Sequence, residues 1–310
     1  MAQKTNLNTT PYFDDFREND NFYKVLFKPG FPVQARELNN AQSILQNQIE
    51  QFGDHFFKDG SVVTPGGITY DSEYYSVKIN PEYLGVPVAS YAENFIGTEI
   101  IGQTTKVTAS VVNVLHEEDS VDNQLTLYVK YLNSGLEGDF STFSESELLL
   151  AEEDVTYGNT TISQGSPFAQ VVAQDATSIG SAVSIADGVY FVRGFFVNVN
   201  KQTIILDQYS NNPSYKVGLE IIETTVNSNE NTNLFDNAAG FNNFSAPGAD
   251  RFKIELKLIK KLLTDTDDKA FVETLRLDDG ETQTAEQKTQ YNRIRDYFAK
   301  RTYEESGDYS

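Results

Sequence analysis

Two histidines are the side chains best suited to acid–base or metal chemistry in this chain of 310 residues, which contains no cysteine. His55 stands in a helical pattern beside Phe56, and His116 stands in an acidic stretch. A Ser-His-Asp triad or a zinc site needs several such groups brought together. No nucleophile elbow, phosphate-binding loop or zinc-protease motif occurs in the sequence. We therefore expect a helix-packing or buried polar role for His55, a solvated loop position for His116, and no catalytic residue, cofactor or metal site.

Acidic clusters are the remaining source of chemistry. They are Glu117-Glu118-Asp119, the group Asp265, Asp267 and Asp268, and the group Asp278, Asp279 and Glu281. The second is similar to the opening of a calcium loop, but Lys269 and Ala270 stand where a ligand and the sharp-turn glycine belong. Acidic turn residues are the plainer interpretation in a chain whose net charge is −21. A carboxylate pair that cleaves polysaccharide stays open as an alternative, with no residues to assign.

Charge and composition narrow the range of partners. An acidic surface repels phosphate backbones, so we expect no nucleic-acid binding. No run approaches 18 apolar residues, and the N-terminus lacks the apolar core of a signal peptide, so we expect no membrane contact. The absence of cysteine excludes disulfides. Phenylalanine and tyrosine make the chain 12% aromatic, which suits a β-rich assembly protein.

The clearest helical pattern spans residues 34–57. Its a and d positions, in steps of three and four, are Ala35, Leu38, Gln42, Leu45, Ile49, Phe52 and Phe56. Amides rather than charges dominate its other positions, which predicts that protein surrounds the helix. A three-helix bundle about a symmetry axis would provide that cover, with an oligomer interface formed by Leu38, Gln42, Leu45, Ile49, Phe52 and Phe56. The alternative is an amphipathic helix that lies on its own sheet.

The N-terminal 30 residues read as an extended arm that is rich in aromatic side chains. Its rings include Tyr12, Phe13, Phe16, Phe22 and Tyr23. Disordered tails are poor in such residues, so we expect the arm to dock onto a surface. That surface belongs either to a neighbouring subunit or to the chain's own body.

The remaining sequence predicts a mainly β, multi-domain (α+β) chain with sandwich-like or barrel-like domains. Strands with period-two alternation are expected near 106–115, 124–132 and 251–258, with a hairpin turn at Asn200-Lys201. A second helix is expected at about 284–300. The predicted organisation is an arm plus helix at 1–60, a main β body at 61–94 and 173–263, an inserted small β domain at 95–172, and an acidic helical segment at 264–310.

Several blocks of sequence resemble an uncharacterised family of virion proteins of tailed bacteriophages, especially T4-like phages of cyanobacteria. The blocks are NPSYKVGLEIIE (212–223), LFDNAAG (234–240), SAPGADRFKIELKL (245–258), FKPGFPVQAREL (27–38) and FFKDGSVV (56–63). The likeness covers both ends of the chain and is weaker between about Glu99 and Ser166. It implies a location in the virion, in the tail baseplate or an attached fibre, after assembly in the host cytoplasm.

The resemblance sets the expected function. It implies a non-enzymatic structural subunit, baseplate-peripheral or fibre-proximal, that attaches fibres to the baseplate and contacts other tail proteins, as a homo-oligomer and most simply a trimer. The alternative is a receptor-binding or polysaccharide-degrading fibre protein. Partner contacts are expected from the arm rings and from Phe235, Phe241 and Phe244, which lie in an Asn-rich connection between two strands. Continuation into a longer protein is also expected.

Overall fold

The structure, a computed structural model, describes residues 3–135, 141–266, 268–285 and 288–306. Strands account for 40% and helices for 17%, so the chain is mainly β, with several antiparallel sheets. The α-helices in these ranges are α1 (Ala35–Asp54) and α2 (Asn292–Ser306). Short 3-10 helices cover Glu18–Asp20, Val88–Ser90, Ala92–Phe95, Glu117–Asp119 and Thr232–Leu234.

Strands run along the whole chain after α1. The first ten are β1 (Ser61–Thr64), β2 (Ile68–Lys78), β3 (Glu82–Tyr83), β4 (Val86–Pro87), β5 (Glu99–Gly102), β6 (Thr108–Leu115), β7 (Thr126–Tyr131), β8 (Leu148–Ala151), β9 (Val155–Tyr157) and β10 (Thr160–Ile162). The others are β11 (Pro167–Gln170), β12 (Thr177–Ile185), β13 (Gly188–Val192), β14 (Phe195–Val199), β15 (Gln202–Asp207), β16 (Tyr215–Val226), β17 (Arg251–Leu262), β18 (Phe271–Asp278) and β19 (Glu281–Ala285).

Six of these strands surround one hydrophobic core. Their order is β11-β8-β5-β6-β7-β2, and every neighbouring pair is antiparallel. A bridge between Ile79 and Val171 joins the chain just after β2 to the chain just after β11. This bridge closes the six strands into a small barrel. Inside it, the rings of Phe95 and Phe168 stack with their centroids 3.9 Å apart.

The β6–β7 hairpin confirms the alternation expected for residues 106–115 and 124–132. Val107, Ala109 and Val111 are buried along one side of it. Leu127 and Val129 of the partner strand are buried as well. The period of two therefore directs alternate side chains into the barrel core.

The second core lies where three sheets meet. Strands β12 and β15 extend the barrel sheet beyond β2, and the sheets β1-β13-β14 and β17-β16-β18-β19 pack against this extension. The long hairpin β16–β17 pairs without interruption from Tyr215 opposite Leu262 to Val226 opposite Arg251. On β17, Leu256 and Leu258 are buried while Lys253 and Glu255 are exposed. One face of the strand is therefore exposed to solvent, in agreement with the period-two alternation predicted for residues 251–258.

The hairpin turn expected at Asn200-Lys201 lies instead at Arg193-Gly194. Strands β13 and β14 pair with each other, whereas β15 belongs to the eight-stranded sheet. Arg193 and Gly194 have φ values of 51° and 81°, which a two-residue hairpin turn requires. Asparagine, aspartate or glycine usually occupies the first position. Here Asp59 stabilises the arginine by accepting its backbone N–H at 2.6 Å.

The stretch from residue 264, expected to be helical, contains β18 and β19 before α2. Asp279 and Gly280 have φ values of 49° and 77° and form the tight turn between these strands. Thr284 lies in β19 opposite Arg276, so the helix expected at 284–300 begins only at Asn292. The Asp-Gly sequence favours a two-residue hairpin turn, so this part of the chain forms a hairpin rather than a helix.

Candidate interaction surface

Helix α1 turns its polar side inward and its apolar stripe outward. Four of its residues are buried: Ser43, Ile44, Asn47 and Gly53. The opposite side leaves Leu38, Leu45, Ile49 and Phe52 between 46% and 66% exposed. An amphipathic helix that lies on its own sheet normally does the reverse. We call this outward surface the outer seam, formed by Leu38, Gln42, Leu45, Ile49, Phe52 and Phe56.

The N-terminal arm provides polar partners for the inward side of α1. The buried Asp14 carboxylate accepts a hydrogen bond from the Ser43 hydroxyl. Asp15 accepts hydrogen bonds from the Asn40 amide at 3.0 Å and from Arg36 at 2.9 Å. The Asn40 amide is the main reason that the pKa of Asp15 lies below its ordinary value, and Arg36 adds to the effect. This part of the arm therefore docks onto the chain's own helix.

The β13–β14 hairpin provides the rest of the inward contact. The Gln46 amide donates to the Gly194 carbonyl at 2.7 Å. Gly53 lies directly on the ring of Phe191, where an added Cβ would stand 2.3 Å from Cε2. Only glycine permits so close an approach between helix and hairpin. Amide hydrogen bonds and this contact thus orient the outer seam away from the body.

A buried ion pair fastens the start of the arm to the β body. Glu223 pairs with Arg193, and both side chains are only 5% exposed. The same carboxylate accepts the Lys4 N–H at 3.0 Å, the Thr5 N–H at 2.7 Å and the Thr5 hydroxyl at 2.6 Å. Burial raises the pKa of Glu223, but these donors together outweigh it and lower the pKa to about 2. The carboxylate therefore stays charged and holds the arm.

Residues 21–33, between the docked arm and α1, expose their large apolar side chains. Each of the following is more than half exposed: Phe22, Tyr23, Leu26, Phe27, Phe31 and Val33. We call these side chains the open segment. Of the other arm rings assigned to a partner contact, Phe13 is half exposed, whereas Tyr12 and Phe16 are partly buried. The structure thus divides the arm into a docked part and an open part.

The Asn-rich connection between β16 and β17 also presents aromatic rings. Phe241 and Phe244 are exposed by 74% and 55%. Phe235 is partly buried and forms a β-bridge with Pro247. At the end of the connection, Asp250 accepts a hydrogen bond from the Tyr12 hydroxyl at 2.6 Å, which joins it to the arm.

Helix α2 begins at the C-terminal end of the outer seam. Its Arg293 N–H donates to the Phe56 carbonyl at 3.2 Å, and Lys58 forms an ion pair with Asp296 at 2.6 Å. Ring contacts run from Phe52 to Phe56, then to Phe57 and Tyr291. The row of ring contacts therefore continues past the end of α1, through the buried Phe57 to the exposed Tyr291. No described residue of α2 is buried.

The two histidines considered for catalysis lie at different places in the fold, His55 at the end of α1 and His116 in the β6–β7 loop. His55 is exposed just after the last turn of α1, so the packing or buried role expected for it is wrong. The helix ends before His55 and turns the ring to solvent. His116 is partly buried and contacts Glu93 at 3.0 Å, so its loop position is not fully solvated. Among the described residues, no three His, Asp or Glu side chains form a group that could hold a metal ion.

The acidic clusters stabilise turns where the structure describes them. Asp265 accepts the Leu262 N–H at 3.0 Å, and Asp268 accepts the Ala270 N–H at 2.9 Å. Asp267 lies outside the described residues. Glu117-Glu118-Asp119 forms a 3-10 turn in the β6–β7 loop. Asp278 and Asp279 belong to the β18–β19 turn, where Glu281 opens β19.

A cleft of about 540 Å³ lies between the arm, α1 and the start of β17. Its lining includes Tyr12, Asp14, Asp250 and Phe252. Ser43 donates to one of these carboxylates and Tyr12 to the other. The hydrogen bond to Asp250 is the main reason that the pKa of Tyr12 is raised. Both carboxylates of the cleft therefore serve contacts within the chain.

Comparison with known proteins shows the family of the chain. A family model described as "Domain of unknown function (DUF4815)" matches residues 10–121 and 143–310. The chain belongs to this family. The DUF4815 match includes the arm from residue 10, α1, the outer seam and α2, and it leaves out residues 122–142, which contain β7. No curated protein and no solved structure matches the chain.

In the part of the chain that the structure describes, no helix combines the length and apolarity needed to cross a membrane.

Proposed function

We propose that the chain is a structural protein of a tailed-bacteriophage virion, a baseplate-peripheral or fibre-proximal subunit that attaches fibres to the baseplate. It associates with further copies of itself through the outer seam, as a homotrimer. It contacts other tail proteins through the open segment and through Phe241 and Phe244. The virion part of this proposal is supported by the sequence blocks that resemble phage tail proteins.

The observation that carries the assembly role is the orientation of α1. Leu38, Leu45, Ile49 and Phe52 all point away from the body and are about half exposed or more. Full burial of one such side chain is worth about 1.5–3 kcal/mol. A continuous apolar surface of this kind is typical of protein interaction sites. The seam is therefore best explained as an interface between protein chains.

The open segment supports contact with other proteins in the same way. Aromatic anchors often carry much of the binding energy of an interface. Phe22, Tyr23, Phe27 and Phe31 offer four such rings within ten residues of sequence. They lie outside the docked part of the arm, so a partner can reach them without unfolding it.

Incorporation into phage particles tests the proposed function. A phage that lacks its own copy of the gene is supplied with either the native chain or the variant Phe22→Ser/Tyr23→Ser/Phe27→Ser/Phe31→Ser. We expect the native chain in the tails of purified particles, located by electron cryomicroscopy, and the variant in reduced amount. The control variant Leu84→Ser/Val121→Ser/Leu132→Ser removes exposed apolar side chains outside the open segment, and circular dichroism confirms that both variants are folded. Absence of the native chain from the particles would contradict the proposal.

One observation favours the receptor-binding or polysaccharide-degrading alternative. The cleft holds two carboxylates, Asp14 and Asp250, beside the rings of Tyr12 and Phe252, and polysaccharide cleavage uses a pair of carboxylates. Incubation of the purified chain with host-surface polysaccharide tests the polysaccharide-degrading form of this alternative. We expect no cleavage. Cleavage that is lost in Asp250→Asn would establish the alternative.

A further inference from the structure

The two sides of α1 have opposite surroundings along its whole length. The body and the arm cover the positions around Ser43, Asn47 and Gly53. The apolar residues of the outer seam and the neighbouring g positions of the heptad face the other way, where Ala41 is partly exposed and Gln48 is exposed. The exposed Gln42 lies between the two sides, because it also lines the cleft between α1 and the arm. A body attached on one side leaves the other side accessible over several turns. Several copies of α1 can therefore meet along one axis with their bodies outside.

Charge identifies the partner that fits this face. None of the a, d or g positions from 34 to 56 carries Asp, Glu, Lys or Arg. Identical copies can therefore bring their seams together without burying like charges, although the chain as a whole carries a net charge of −21. Charged g positions take part in the choice of partner helix, and because they are absent here, the apolar spacing of three and four determines which helix fits. A second α1 has this same spacing.

The single polar residue of the seam fixes direction and register. Gln42 stands between Leu38 and Leu45, and its amide donates to the Leu38 carbonyl at 3.4 Å, a long contact that a neighbour can replace. In a parallel, in-register bundle every Gln42 meets another Gln42. A slipped or antiparallel pairing places the amide against an apolar side chain, where an unpaired polar group is costly.

We propose that two further copies of this chain occupy the outer seam, parallel and in register about a three-fold axis, with three Gln42 side chains in one layer. A three-fold axis requires the three helices to be parallel. Phe52 and Phe56 then gather at one end of the bundle, beside Phe57 and Tyr291 of each copy. The proposal rests on the homotrimer proposed above, and it adds the direction of the helices, their register and the layer formed by Gln42.

Disulfide cross-linking tests the arrangement in a chain that has no cysteine of its own. The full chain is prepared as Leu45→Cys, as Ile49→Cys and as the control Asp54→Cys, at an exposed position of α1 outside the seam. After mild oxidation we expect covalent dimers for the two seam variants and none for the control. One chain in each trimer has no thiol partner, so the reaction should stop short of completion.

Direction is tested by mixing Leu38→Cys with a mass-tagged Phe52→Cys chain. A parallel bundle keeps these positions apart and should give no mixed 38–52 disulfide. A mixed disulfide would overturn the parallel arrangement, and complete cross-linking of Leu45→Cys would overturn the three-fold one. Because the isolated chain is used, failure here contradicts the seam partner, whereas absence from particles contradicts the virion role. Circular dichroism of each variant confirms that it is folded.

Discussion

The Ser43 hydroxyl of α1 donates a hydrogen bond to the Asp14 carboxylate of the N-terminal arm in a buried contact. This pair lies on the side of the helix opposite Leu45 and Ile49. It gives the inward side of α1 a carboxylate partner, and an apolar side chain on the helix could not form a hydrogen bond with that carboxylate. The polar side therefore faces the chain itself, and the apolar side is left for other molecules.

A double-mutant cycle at this pair measures how strongly the arm orients the helix. Ser43→Ala, Asp14→Ala and the double variant should show a coupling of about 1–3 kcal/mol, because either single change leaves a buried polar group without its partner. Urea unfolding gives the free energies. Arg36→Ala is the control, since its exposed ion pair with Asp15 should contribute less than about 1 kcal/mol. Additive effects at Ser43 and Asp14 would show that the contact does not hold the arm.

Gly53 should tolerate no side chain while Phe191 faces it. In Gly53→Ala the new Cβ would lie 2.3 Å from the Phe191 ring, so the helix must shift away from the hairpin. We expect a loss of about 1–3 kcal/mol in the free energy of unfolding, measured in urea. Phe191→Leu in the same chain makes room and should recover part of the loss. A Gly53→Ala variant as stable as the native chain would contradict this packing.

Acid should weaken the attachment of the arm through Glu223. Its pKa is lowered in the folded chain from an ordinary 4.5 to about 2. A lowered pKa contributes stability that is complete above pH 4.5 and is lost as the pH falls from about 4.5 to about 2. A shift of this size corresponds to about 3 kcal/mol.

Glu223→Gln tests this dependence. It should lower the stability at neutral pH, since Arg193 stays buried without a counter-charge, and it should flatten the loss of stability between pH 4.5 and 2. Urea unfolding at several pH values measures both effects. Glu220→Gln, which removes a carboxylate from the same strand, is the matched control. An unchanged pH profile in Glu223→Gln would exclude the ion pair as the acid-sensitive attachment.

The sequence pattern predicted those secondary-structure elements that are determined by residues close together in the sequence. Period-two alternation located β6, β7 and β17, and steps of three and four marked the apolar stripe of α1. The Asp279-Gly280 turn was detectable too, because Asp-Gly is a strong hairpin signal. Acidic residues around it favoured a helix, and that interpretation was wrong.

Contacts between distant residues account for what the sequence could not predict. The turn at Arg193 depends on Asp59, which is far away in sequence. The barrel closes through a bridge from Ile79 to Val171. Nothing in the heptad pattern states whether the stripe faces the body or the solvent. Contacts of α1 with the arm and with the β13–β14 hairpin determine the orientation of the stripe. The amide-rich composition of α1 was the only sequence signal for these contacts.

Charge placed in the outer seam should separate the copies without unfolding them. Leu45→Asp/Ile49→Asp buries carboxylates among apolar side chains in the assembly, which costs several kcal/mol, but leaves them in water in a single chain. We expect monomers with native circular dichroism, measured by sedimentation velocity. Leu132→Asp/Ile179→Asp is the matched control, because it changes the same residue types at exposed positions outside the seam. Equal behaviour of the two double variants would rule out the seam as the interface.

The mass of the unaltered chain in solution shows whether the outer seam joins copies of the chain. Sedimentation equilibrium at micromolar concentration should give three times the 34.7 kDa of a single chain. A mass of 34.7 kDa at the same concentration would contradict the trimer and would mean that the outer seam is not an interface between copies.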